Sequence, residues 1–141
     1  MSTEQNKATI RRWVEEGWNQ GKLEVVDQVY AANVVQHDPN SPMPVTSSAT
    51  LKMYVGGYRS AFPDLHFTVD DLLAEGDKVV WRFTSHGTHK GPLGPLPPTG
   101  KTGTVTGMAL FRFENGKIAE VWVNVDILGL LQQLGAIPSM G

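Results

Sequence analysis

The chain contains no cysteine. Disulfides, thiolate nucleophiles and cysteine-ligated zinc are thereby excluded, and the composition suits a reducing compartment. Charge is also scarce: 18% of the 141 residues are charged, and the formal net charge is -2. No basic stripe could neutralise a series of phosphates, so nucleic acid is not an expected partner. No run approaches the roughly 18 apolar residues of a membrane span, and no membrane association is expected. The opening stretch "MSTEQNKATIRRW" is polar and lacks the apolar segment of a secretory leader, so the expectation is a cytoplasmic protein.

What is present is enough for a core. Hydrophobic residues make up 40% of the chain, and a chain of this length buries about two-thirds of its unfolded surface. With neither internal repeat nor linker, a single domain over residues 1–141 is expected. Ser2 and Gln5 stand at capping-box spacing before a helix that carries Ile10, Trp13, Val14 and Trp18 on one side. "LEVVDQVYA" reads as a second short helix, followed by the extended "NVVQHDP". Pro39, Pro42 and Pro44 interrupt regular structure. Helix resumes near Ser48, with Leu51, Tyr54, Val55, Tyr58 and Phe62 at helical spacing until Pro63.

The second half alternates with period two. "LHFTVDDLLAEG", "DKVVWRFTSHG", "TVTGMALFRF" and "KIAEVWVNVD" read as long antiparallel strands, with a last helix at "ILGLLQQLG". Helices followed by such strands define an α+β domain: N-terminal helices packed on a strongly curved antiparallel sheet, with a conical cavity between them. "THKGPLGPLPPTGK" reads as a rim loop at the cavity mouth, controlling access.

The loop at "ENG" decides which side chains share a face. A three-residue loop, Glu114-Asn115-Gly116, pairs odd positions with odd ones. One face then holds Val105, Gly107, Ala109, Phe111 and Phe113 opposite Ala119, Val121, Val123 and Val125, and is almost purely apolar. The other holds Met108, Leu110 and Arg112 opposite Ile118, Glu120, Trp122, Asn124 and Asp126, and suits a subunit contact. The apolar face is the expected cavity wall. Its small residues leave room either for a ligand or for bulky helix side chains.

The segments "FPDLHFTVDDLLAEGDKVVWRF", "GTHKG", "PPTGK", "FENGKIAEVW" and "DILGLLQQLG", in this order, resemble the SnoaL-like polyketide cyclases, within the nuclear transport factor 2-like, cystatin-like group. The resemblance covers nearly the whole chain. It implies a curved sheet closed by helices, a deep hydrophobic cavity, a homodimer through the sheet, and ring closure by an intramolecular aldol reaction without metal or cofactor. The acid/base aspartate of such cyclases falls on Val123, and their neighbouring histidine falls on Ala109. Neither side chain can transfer a proton.

Other residues are therefore candidates for acid/base work: His37, His89 and Asp126. Each has a structural alternative, and for Asp126 it is the N-cap of the last helix. Trp18, Tyr30, Met53, Tyr54, Ala109, Phe111, Val121 and Val123 are the candidate ligand contacts. His86 and His89 lack a third ligand at metal-binding spacing, so no metal is expected, and the resemblance implies no cofactor. "GKT" at 100–102 lacks the glycines of a phosphate loop. The expected partner is an apolar, cyclic or polyketide-like small molecule. The expected role is a cofactor-independent cyclase or isomerase with a relocated acid/base. A binding module without turnover is the alternative. Arg82 with Asp70, Asp71 or Asp77 offers a weaker one, an epoxide hydrolase-like site.

Overall fold

The computed structural model describes residues 2–41 and 43–138; Pro42, expected to help break regular structure, lies outside them. Helix α1, Thr3–Arg12, starts at a complete capping box: the Gln5 N–H donates to Ser2 Oγ at 3.0 Å and the Ser2 N–H to Gln5 Oε1 at 2.9 Å. The chain then passes directly into a π-helical segment, Trp13–Asn19. At 3.6 residues per turn, residues five apart diverge by about 140° around the axis. The wider i→i+5 winding brings such residues back towards one side, so Trp13 and Trp18 both face the sheet. They are buried, with ring centroids 6.2 Å apart.

Helix α2, Val25–Val29, buries Val25, Val26 and Val29 and leads into strand β1, Tyr30–His37. Helix α3, Ser48–Ala61, has its own capping box, Ser47 with Thr50, and ends just before Pro63. Four more strands follow: β2, His66–Glu75; β3, Lys78–Thr88; β4, Thr102–Glu114; and β5, Lys117–Val125. Helix α4, Ile127–Gln133, closes the described fold. The α+β class is as expected.

The sheet order is β1-β5-β4-β3-β2. Strands β2 to β5 form an antiparallel meander, whereas β1 runs parallel to β5. The sheet is therefore mixed and open rather than wholly antiparallel. The parallel pairing joins distant parts of the chain, and local alternation carries no trace of it.

At the tip between β4 and β5 the loop has two residues, not three. Glu114 pairs with Lys117, and Asn115 and Gly116 take φ of 52° and 77°, as a type I′ turn requires. A bulge then restores the odd-with-odd register: Phe113 pairs with Ile118, but Arg112 pairs with Glu120 and Phe111 with Val121, leaving Ala119 as the extra residue. Ile118 is consequently buried in the core, not on the outer face where strict alternation puts it.

Two polar side chains fix the helical layer to the sheet. The Asn19 amide imitates a strand peptide at the edge of β2, accepting from Phe67 N–H at 2.7 Å and donating to its carbonyl at 3.0 Å. Arg59 Nη1 donates to the carbonyls of Trp18 at 2.6 Å and Asn19 at 3.3 Å, capping the end of the π-helical segment. Together they seat the Trp18 ring on Phe67, centroid to centroid 4.7 Å.

Candidate functional site

The space between the helical layer and the inner sheet face is a cavity of about 80 Å³, room for several waters. Leu51, Tyr54 and Tyr58 of α3 and the two tryptophans of the π-helical segment border it from the helical side. Alternate residues of the strands border it from below, because period two sends every second side chain inward. Three of the four tryptophans, all three tyrosines and four of the five phenylalanines of the chain line it. No lysine or arginine does.

Seven expected contact residues line this cavity: Trp18, Tyr30, Tyr54, Ala109, Phe111, Val121 and Val123. Val123 pairs directly with Ala109 and is 8% exposed, so the two positions to which the resemblance assigns an acid/base pair are adjacent, inward and apolar here. Met53 is a correction. It is 61% exposed, because on a helix it lies about 100° from its neighbour Tyr54 and misses the buried stripe.

The three acid/base candidates do not border the cavity. His37 lies on the outer sheet face, stacked on Trp122 at 5.4 Å and bonded through Nε2 to Glu120 at 2.7 Å. That contact, followed by Arg112, holds the Glu120 carboxyl below its ordinary pKa. Asp126 is the N-cap of α4, its Oδ1 accepting from Gly129 N–H at 2.9 Å. His89 is fully buried behind Phe62, with Nδ1 against Thr99 Oγ1 at 3.0 Å and the Thr99 N–H at 3.2 Å. It ties the neck of the proline-rich loop, whose residues 90–100 do not border the cavity; Lys90 and Gly91 instead donate to Ala61 at the end of α3. The loop is a strap over that helix end rather than the expected gate.

Of the four histidines only His86 borders the cavity, at an exposed position stacked on His66 at 5.7 Å. Arg82 pairs with Asp71 at 2.6 Å and Asp70 at 3.9 Å on the exposed outer face. The carboxylate–arginine arrangement is thus a surface ion pair and not part of the cavity. Among the described residues no three metal-ligating side chains converge.

Besides Tyr30 and Tyr54, other polar residues that the sequence reading did not name as contacts border the cavity. They include Gln36, Tyr58 and Ser85. Tyr54 donates its hydroxyl to Asp38 Oδ2 at 2.6 Å, and Asp38 Oδ1 also accepts from Asn40 N–H at 2.9 Å. Burial, then the proximity of Tyr58 and Asp38, pushes the Tyr54 hydroxyl far above its usual pKa; burial and Asp38 push Tyr58 up to about 12. Burial likewise raises Tyr30. All three phenols are neutral hydrogen-bond donors near neutral pH, not bases.

The whole architecture has close counterparts. A candidate polyketide cyclase from Acidithiobacillus ferrooxidans is 31% identical, with a TM-score of 0.82 over 96% of this chain and 99% of that one. AclR, a candidate hydroxylase from Streptomyces galilaeus, is 29% identical, with a TM-score of 0.86 over 99% of this chain and 87% of that one. A Catenulispora acidiphila protein with a ketosteroid isomerase-like fold superposes with a TM-score of 0.77 over 90% and 92% of the two chains; at 16% identity it shows the fold alone. No curated protein matches at comparable significance. The family model described as SnoaL-like polyketide cyclase matches residues 8–134, and the chain belongs to that family.

Proposed function

We propose that the protein binds an apolar, planar, cyclic or polyketide-like small molecule in the cavity between helices and sheet. The observation that carries this reading is the concentration of nearly all the chain's aromatic rings around one space without a lysine or arginine. Aromatic walls recognise flat apolar bodies by stacking and edge contacts. Fluorene should quench the tryptophan fluorescence saturably with one site per chain. Ala109→Phe, which fills the cavity beside Val123, should abolish the quenching while the far-UV circular dichroism is kept. Unsaturable quenching by the unaltered protein would sink the reading.

Turnover is a second reading, favoured by the neutral phenol of Tyr58, which can polarise a bound carbonyl. It requires neither Val123 nor Ala109. Protein-accelerated exchange of the protons next to the carbonyl of α-tetralone in D2O, followed by NMR, separates it from binding alone.

The outer sheet face completes the proposal. Met108 is 49% exposed there, with Leu110 and Trp122 half-buried beside it. A second copy of the chain would cover this patch, giving a homodimer. Sedimentation at micromolar concentration should give twice the chain mass, and a monomer mass overturns the pairing.

A further inference from the structure

Gln36 is a polar residue of the cavity wall whose hydrogen-bonding capacity is left unused. Strand β1 pairs it with Val121, so the two side chains share the inner face. Its backbone is committed, the N–H donating to the Val45 carbonyl at 2.9 Å. Its side-chain Nε2 is buried and has no partner among the described residues. A buried amide donor without an acceptor destabilises a fold. Within the protein this donor has no partner, and it borders a cavity where a bound molecule can supply the acceptor.

Its surroundings define what would satisfy it. The Tyr54–Asp38 bond draws the tyrosine face of α3 against the end of β1, and Tyr58 follows Tyr54 with ring centroids 5.2 Å apart. Both phenols stay protonated. Tyr54 gives its proton to Asp38, so Gln36 Nε2 and the Tyr58 hydroxyl are donors left at the cavity border, and a ligand that meets them must bring an acceptor. No lysine or arginine lines the space, and an ionised carboxylate would be stranded there without a counter-charge. A neutral carbonyl oxygen meets both conditions.

Building on the ligand-binding reading above, we infer that Gln36 Nε2, in a cavity that Tyr58 also borders, forms a carbonyl-reading subsite that selects planar ketones or quinones over hydrocarbons of the same outline. The test compares fluorenone with fluorene, which differ by one carbonyl oxygen, by equilibrium dialysis against the full chain and Gln36→Met. The unaltered protein should prefer fluorenone by about tenfold or more, since a donor left unpaired penalises the analogue lacking its acceptor. In Gln36→Met the preference should collapse to about twofold or less, with fluorene binding kept. The ligand-free variant should melt no lower than the unaltered protein, because the substitution breaks no side-chain hydrogen bond within the described residues.

A merely structural glutamine would move the opposite way: a lower melting temperature with both affinities reduced together overturns the assignment. So does a fluorenone preference that survives the substitution, or one absent from the unaltered protein while fluorene still binds. If neither compound binds the unaltered protein, the ligand-binding reading itself fails.

Discussion

Val123→Asp should destabilise the protein by about 2–4 kcal/mol at pH 8, and by distinctly less at pH 4. Val123 is 8% exposed, faces Ala109 across the β4–β5 ladder and borders a cavity without lysine or arginine. A carboxyl introduced there loses solvent and gains no positive partner, so its folded-state pKa rises above the unfolded value of about 3.9. Between these two pKa values the folded chain holds a proton that the unfolded chain has released. Stability therefore falls as pH rises through that window and levels off above it. Chemical denaturation of both proteins at pH 4, 6 and 8 measures the difference. A penalty independent of pH would mean that the carboxylate reaches water and that the inward register of β5 is wrong. The same experiment bears on function. The resemblance to SnoaL-like cyclases implies an aspartate at this position, and the predicted penalty is the energetic load that such a site would impose on this fold.

That register was legible only in part. The period-two run of Val121, Val123 and Val125 identified the inner face correctly, but the loop offered to explain it did not form. Asn115-Gly116 is a strong two-residue turn signal, and it is obeyed. The parity is then restored by an extra residue at Ala119, for which the sequence has one faint sign. Ile118 is apolar next to Glu120, on a face that also carries Trp122 and Asn124. Alternation is a local code, and a bulge is a local exception dictated by partners on another strand.

The site was less legible than the fold for the same reason. Trp18, Tyr54 and Phe111 could be found because large aromatic side chains on periodic faces go inward wherever the face goes. Gln36 could not: a glutamine beside His37 and Asp38 reads as surface, and its inward direction follows from pairing with Val121, far along the chain. The histidines misled in the other direction. Imidazole chemistry suits proton transfer near neutral pH, yet His37 sits on the outer face and His89 ties a loop neck, because position in a layered fold decides what a side chain can reach. Asp126 behaved as local rules require, as a helix cap.

Gly17→Ala should cost about 2–3 kcal/mol and weaken binding of flat apolar probes, although alanine is the better helix former by about 1 kcal/mol. A Cβ built on Gly17 would overlap Cε3 and Cζ3 of the Trp13 ring. Trp13 is 1% exposed and meets Tyr30 edge-on at 5.1 Å as well as Trp18, so its ring cannot retreat without disturbing two other cavity walls. The glycine is thus a consequence of the π-helical winding, which turns the segment's bulky rings to one side and crowds its backbone against them. Thermal denaturation reads the stability loss, and the tryptophan emission spectrum should shift as Trp13 is displaced. Gly57, on the exposed side of α3 with open space around its Cα, is the control: Gly57→Ala should leave emission unchanged and raise stability by up to about 1 kcal/mol. Equal gains at the two glycines would show that Trp13 does not pack on Gly17, and the close-packed tryptophan wall of the cavity would have to be abandoned.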